Sequence, residues 1–121
     1  MGYRSDVAYI IKFKDVEQRD AFVTLMLAKN NETINNAIAE TSHDRTDEPV
    51  ITFKIDDVKW YPSFDDVRVH HELMDTAQDL YGALWRFVAL GEDGATDERY
   101  YDPEDEIYDD LGVVHQLRAS F

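Results

Sequence analysis

The sequence predicts one α+β domain, a two-layer sandwich in which two helices pack on one face of an antiparallel sheet. A chain of 121 residues has the length of one domain, so we expect residues 1–121 to share a single core. Hydrophobic residues make up 44% of the chain, which is enough to offset the entropy lost on folding. Strand-like and helix-like patterns follow one another as β-α-β-β-α-β-β. The first six elements match the ferredoxin-like order, and the seventh is an extra C-terminal strand.

The first predicted strand and helix have the clearest patterns. Apolar residues alternate along residues 7–13, which indicates a strand with one strongly apolar face. Asp15 then opens a helix, and Gln18 stands three residues later, as in a variant of the capping box. Apolar residues continue at helical spacing, so we expect this helix to end near Lys29.

Residues 32–40 allow two interpretations. Ile34 and Ile38 lie four residues apart, which suits either a second short helix or a continuation of the first helix after a kink. The polar run that follows, residues 41–48, predicts a loop.

The middle of the chain predicts a β-hairpin. Residues 50–55 place apolar side chains on one face of a strand, and the acidic pair 56–57 suggests a turn. Residues 58–61 then fit a short third strand, which Pro62 ends.

The second half of the chain predicts a long helix and two further strands. Ser63 begins a capping-box pattern, an apolar stripe at helical spacing runs through residues 67–81, and Gly82 is a natural stop. Residues 84–90 are apolar on both faces, which is typical of a central strand. Residues 113–119 provide the last strand.

The net charge limits the partners that the chain can bind. Twenty-six acidic against twelve basic residues give a formal charge of −14, which disfavours direct binding to nucleic acid or to an anionic membrane. A basic protein is favoured as a partner. The alternative is that the acidic surface serves solubility alone.

The absence of cysteine excludes disulfides, cysteine-based zinc sites and thiolate nucleophiles. The apolar stretch near the N-terminus is too short and too strand-like for a signal peptide or a membrane span, and the myristoylation pattern is not met. The expected location is therefore the cytoplasm.

Two groups of residues could bind a metal ion, but the spacing of each departs from the known motif. His71 and Asp75 are placed like the histidines of an HExxH zinc helix, but the second histidine is missing and no third ligand is evident. Residues 93–98 supply oxygens around a glycine without the spacing of an EF-hand. The chain also lacks a phosphate-binding glycine loop and a nucleophile elbow, so we predict no cofactor and no enzymatic activity.

An acidic insertion, residues 91–112, lies between the last two predicted strands. It holds ten acidic residues against Arg99 alone, interleaved with tyrosines, which are favoured at protein interfaces. Carboxylates spaced along a surface pair with basic side chains and can occupy a groove built for DNA phosphates. The alternative is an acidic loop without a partner. The predicted partner-binding residues are Asp97, Glu98, Tyr100, Tyr101, Asp102, Glu104, Asp105, Glu106, Tyr108, Asp109 and Asp110.

Two blocks of the sequence resemble a known group of proteins. The opening MGYRSDVAY, residues 1–9, and the block VKWYPSFDDV, residues 58–67, resemble small acidic bacteriophage proteins, over less than a fifth of the chain. The resemblance implies a phage protein acting in the host cytoplasm, and it brings no catalytic residues. The leading hypothesis is a non-enzymatic inhibitor that binds a basic, nucleic-acid-handling host protein, by DNA mimicry. The alternatives are a divalent-cation-binding domain and an accessory homo-oligomeric phage protein, such as a homodimer.

Overall fold

A computed structural model of the chain describes residues 4–42, 49–61 and 63–103. These residues confirm the α+β class and contain three helices and four strands. In chain order the elements are β1 (Ser5–Lys12), α1 (Val16–Ala28), α2 (Glu32–Glu40), β2 (Val50–Val58), α3 (Asp65–Tyr81), β3 (Leu84–Gly91) and β4 (Thr96–Tyr101).

The sheet is antiparallel throughout, with the strand order β2-β1-β3-β4. Tyr9 at the middle of β1 stands opposite Phe53 of β2 and Phe87 of β3. β4 forms a hairpin with β3, in which Arg86 stands opposite Tyr100. The first strand of the chain therefore lies inside the sheet.

Both faces of the central strands are buried. The odd-numbered residues of β1, from Val7 to Ile11, join residues of all three helices in the main hydrophobic cluster. The even-numbered residues point to the opposite face, where Ala8 and Ile10 cluster with Val88. This arrangement explains why β1 and β3 are nearly continuous apolar runs instead of a strict alternation of apolar and polar residues.

Capping interactions separate the first two helices and settle the alternative left open by the sequence. Asp15 begins α1 by accepting a hydrogen bond from the backbone N–H of Gln18 at 2.8 Å, as predicted. Asn30 takes a left-handed conformation with φ 52°, and the side chain of Asn31 then accepts from the backbone N–H of Ile34 at 3.1 Å. Residues 32–40 are thus a separate helix.

The long helix α3 agrees with the prediction at its C-terminal end and differs at its first residues. Gly82 ends it with φ 63°, the left-handed conformation that glycine adopts most readily. At the start, the N-cap residue is Phe64, which makes no side-chain cap. The capping box predicted at Ser63 is therefore not formed.

The predicted third strand at 58–61 is wrong. β2 continues to Val58, and residues 59–61 leave the sheet because the ring of Trp60 packs on Phe53 and Phe87 in the core. The described residues consequently follow the order β-α-α-β-α-β-β, which differs from the ferredoxin-like order, with three helices in the layer instead of two. Within the predicted acidic insertion, 91–112, residues 96–101 form strand β4, and the predicted strand at 113–119 lies outside the described residues.

The cap of α2 gives a test of this helix boundary. Replacing Asn31→Ala removes the side-chain acceptor at the N-cap and should lower the free energy of unfolding by about 1 kcal/mol. Asn36→Ala is the matched control, because Asn36 is exposed in the middle of the same helix, where alanine is a better helix former. Urea denaturation measures both variants. Equal stability of the two would contradict the assigned cap.

Candidate functional site: the acidic hairpin and the adjacent cleft

The turn between β3 and β4 is held by its own hydrogen bonds. The backbone N–H of Gly91 donates to the carbonyl of Ala95 at 2.8 Å, and that of Gly94 donates to the carbonyl of Gly91 at 2.9 Å. The carboxylate of Asp93 accepts from the backbone N–H of Ala95 at 2.9 Å. Gly94 has φ 87°, a conformation that strongly favours glycine. These bonds order the backbone of the turn, which sets the points from which its acidic side chains project.

Strand β4 divides the predicted partner-binding residues between its two faces. Its six residues, Thr96 to Tyr101, are all exposed. Glu98 and Tyr100 share one face, whereas Asp97 and Tyr101 lie on the face that carries the helices. The predicted residues Glu104, Asp105, Glu106, Tyr108, Asp109 and Asp110 lie outside the described residues.

Asp102, one of the predicted partner-binding residues, is buried. It is 3% exposed, and its carboxylate accepts a hydrogen bond from the Nε of Arg86 at 2.9 Å. The guanidinium of Arg86 also lies 4.5 Å from the ring centre of Tyr100, a cation–π contact. Because Arg86 belongs to β3, these contacts fasten the end of β4 to its neighbouring strand.

Asp97 also has an internal partner. Its carboxylate accepts a hydrogen bond from the Nη2 of Arg99 at 3.2 Å, and both side chains are about half exposed. The pair lies on the helix-facing side of β4, where the two charges largely offset each other. The exposed carboxylates that dominate the other parts of the hairpin are those of Glu92, Asp93 and Glu98.

A cleft of about 270 Å³ opens between this side of β4 and helix α3. Three aromatic rings line it: His71 and Phe87 have ring centres 4.8 Å apart, and Trp60 lies 6.0 Å from His71. The other lining residues are small or polar. They are Ser5, Ala89, Gly91, Ala95, Thr96, Asp97 and Arg99.

His71 is held as a neutral ring in the wall of this cleft. Burial lowers the pKa of His71, and the nearby charge of Arg99 lowers it further, against the opposing influence of Asp75 and Asp97. Its Nε2 accepts a hydrogen bond from the indole N–H of Trp60 at 3.3 Å. The proton of the neutral imidazole is therefore assigned to Nδ1.

The neighbouring His70 points into the core instead of the cleft. Its Nδ1 lies 2.7 Å from the hydroxyl of Tyr9, and its Nε2 lies 3.5 Å from a carboxylate oxygen of Glu40. Burial lowers the pKa of His70 to about 4 and raises the pKa of Tyr9 well above its ordinary value. Both groups are neutral near pH 7, so the Tyr9 hydroxyl donates to Nδ1 and the Nε2–H of the ring faces Glu40.

The two histidines therefore do not share a metal site. Within the part of the chain that the structure describes, no group of three or more His, Asp and Glu side chains is placed to hold a metal ion. Of the other predicted oxygen ligands, Asp93 makes a turn hydrogen bond and Asp97 pairs with Arg99.

Neither the cleft nor the role of Arg86 was predicted from the sequence. Arg86 is a single charge in the otherwise apolar strand β3, and a buried charge requires a partner. That pattern predicts a buried ion pair, although it does not identify Asp102. The cleft depends on Trp60, which the sequence analysis placed in a strand, so the pattern alone gave no indication of it.

Comparison of the chain with protein-family models, with curated proteins and with solved structures gives no match. No helix among the described residues combines the length and the apolar character needed to span a membrane.

The buried Tyr9–His70 pair predicts a dependence of stability on pH. Below pH 6.5 the unfolded chain protonates this histidine, whereas the folded chain resists protonation until about pH 4. The free energy of unfolding should therefore fall as the pH is lowered through this window, by about 3 kcal/mol from this group alone. Urea denaturation across the window measures the fall. The double variant Tyr9→Phe/His70→Leu removes both polar groups together, so its free energy of unfolding should no longer show the part of the fall that His70 causes. If the pH dependence of the variant equals that of the wild type, His70 is not the group responsible.

The buried Arg86–Asp102 pair predicts strong coupling between two substitutions. Asp102→Leu alone removes the carboxylate that the buried guanidinium of Arg86 binds and should cost about 3–5 kcal/mol of stability. Adding Arg86→Met should restore most of that loss, because both charges are then gone. The exposed pair of Asp97 and Arg99 is the matched control, and its removal should change stability by less than about 1 kcal/mol. Additive effects of Asp102→Leu and Arg86→Met would contradict a buried pair.

Proposed function

We propose that the chain is a non-enzymatic docking protein that binds a basic protein through the β3–β4 hairpin. The observation that carries the proposal is the exposure of acidic and tyrosine side chains on a hairpin whose position is fixed at both ends. We name as the hairpin surface the residues Glu92, Asp93, Glu98, Tyr100 and Tyr101.

The tyrosines supply the apolar part of this surface. Tyr100 is 59% exposed and Tyr101 is 37% exposed, although large aromatic side chains are more often buried. A tyrosine covers a large area of a partner with little loss of side-chain entropy and keeps a hydroxyl for hydrogen bonding. The two rings lie on opposite faces of β4, so a partner that encloses the strand contacts both.

The carboxylates attract a basic protein to the hairpin and select it by pairing with its basic side chains. A net charge of −14 attracts a basic protein over the distance of a Debye length, about 8 Å at physiological salt, and the carboxylates then pair with its lysines and arginines. Asp102 is excluded from the surface because it is buried against Arg86, and Arg99 offsets the charge of Asp97. Asp93 and Glu98 stay exposed, although each of them also interacts within the chain.

The class of partner that we propose is a nucleic-acid-handling protein of a bacterial host, with the chain acting as a phage-encoded inhibitor in the host cytoplasm. A protein that binds DNA or RNA presents a basic groove, and exposed carboxylates on a rigid hairpin suit such a groove. The resemblance of residues 1–9 and 58–67 to small acidic phage proteins supports the same class.

Self-association through the tryptophans has less support. The indole N–H of Trp60 donates to His71 at 3.3 Å, and that of Trp85 donates to Gln78 at 2.9 Å. Both side chains thus pack within the chain. Pairing of two β4 strands would also bring the acidic residues of two copies together, which is unfavourable.

A charge-reversal pair tests the hairpin surface. Glu92→Lys/Glu98→Lys should abolish capture of a basic protein from bacterial lysate at about 0.1 M salt, because the hairpin then repels the partner. Asp56→Lys/Asp79→Lys is the matched control, since it changes the net charge equally at exposed positions of β2 and α3. Quantitative mass spectrometry of the captured proteins measures the difference. Equal capture by the two double variants would show that net charge alone attracts the protein and would refute the hairpin surface.

Competition with DNA tests whether the hairpin occupies the nucleic-acid-binding groove of the captured protein. If the hairpin occupies a nucleic-acid groove, then duplex DNA should displace the chain from its partner, and about 1 M salt should do so as well, since it shortens the Debye length to about 3 Å. If salt displaces the chain and DNA does not, the partner is still a basic protein, but the hairpin does not mimic DNA.

A further inference from the structure

The cleft beside the hairpin has the size of a small ligand. Its volume of about 270 Å³ lies just below the range of about 300–1,000 Å³ that is typical of pockets for drug-sized molecules. A ligand of one or two rings therefore suits the space better than a larger molecule or a peptide.

The wall of the cleft favours a flat ligand. The half-buried rings of Trp60 and His71 line the wall, with ring centres 6.0 Å apart, and Phe87, which is only 2% exposed, packs against both of them. Aromatic faces stack on other planar rings with a gain beyond simple burial of area. Small residues such as Ala89 and Gly91 line another part of the cleft and leave room beside the rings.

The rim of the cleft favours a ligand without net charge. The guanidinium of Arg99 and the carboxylate of Asp97 lie 3.2 Å apart, so together they offer donors and acceptors side by side. Arg99 disfavours a cation and Asp97 disfavours an anion, whereas a ring edge with adjacent acceptor and donor atoms matches both. The neutral state of His71 agrees with this balance.

The wall is also rigid before any ligand binds. The hydrogen bond from Trp60 to His71 fixes the two rings relative to each other, and His71 is anchored in helix α3 beside the buried His70. A preformed wall reduces the entropy that a ligand must overcome on binding.

We propose that this cleft binds a planar, uncharged nitrogen heterocycle of one or two rings, the class to which the nucleobases belong. The ring lies against Trp60 and His71, and its polar edge meets Asp97 and Arg99. The residues that this ligand contacts differ from those of the hairpin surface.

Titration of the full chain with adenosine, guanosine, cytidine and uridine tests the proposal by isothermal titration calorimetry. At least one nucleoside should bind with a Kd below about 1 mM. Free ribose, which lacks the heterocycle, should not bind. The corresponding nucleoside monophosphate should bind more weakly, because the acidic hairpin opposes its charge.

The variant Arg99→Met removes the donor at the rim and should weaken binding of that nucleoside at least tenfold. Arg68→Met is the matched control, because Arg68 is equally exposed and also pairs with an aspartate, Asp65, but lies outside the cleft. The fluorescence of Trp60 reports the location: quenching by the nucleoside should persist in Trp85→Phe. The absence of binding by all four nucleosides, equal binding by Arg99→Met and the wild type, or tighter binding of the monophosphate would each overturn the proposal.

Discussion

The central position of β1 is the constraint on which the other elements depend. This strand pairs with β2 on one side and with β3 on the other, so its backbone groups are satisfied within the sheet. From Val7 to Ile11 its residues are buried in hydrophobic clusters on both faces, and the odd-numbered ones require the cover that the three helices provide. The one polar group in this run, the hydroxyl of Tyr9, is acceptable in the core because His70 accepts its hydrogen bond.

That hydrogen bond links the core to the cleft. His70 and His71 are adjacent in α3 and point about 100° apart around the helix axis. When His70 faces Tyr9 in the core, His71 is directed toward Trp60 and the helix-facing side of β4. The orientation of the cleft wall thus follows from the satisfaction of a buried polar pair. One helix in this way serves both the stability of the fold and the shape of the candidate site.

The sequence predicted the elements whose patterns are local and failed where tertiary contacts decide. The apolar, strand-like pattern of residues 7–13 and the cap at Asp15 identified the first strand and helix, because both depend on neighbours in the chain. The strand expected at 58–61 has a suitable composition, but Trp60 gains more by packing on Phe53 in the core. Strand β4 was interpreted as part of an acidic insertion. Its tyrosines favour a strand, and its pairing with β3 outweighs the poor strand propensity of its acidic residues.

The acidic residues of β4 have a structural role that is compatible with recognition. Among the described strands β4 lies at the edge of the sheet, where an exposed strand invites pairing with other chains, and charged side chains such as Asp97 and Glu98 discourage such pairing. Charge alone would therefore be weak support for a binding surface. The stronger argument is the anchoring of the strand: Arg86 is buried on β3, binds Asp102 and lies against the ring of Tyr100. A protective edge does not require such anchoring, whereas a binding surface benefits from it, because side chains that are already ordered lose less entropy when a partner arrives.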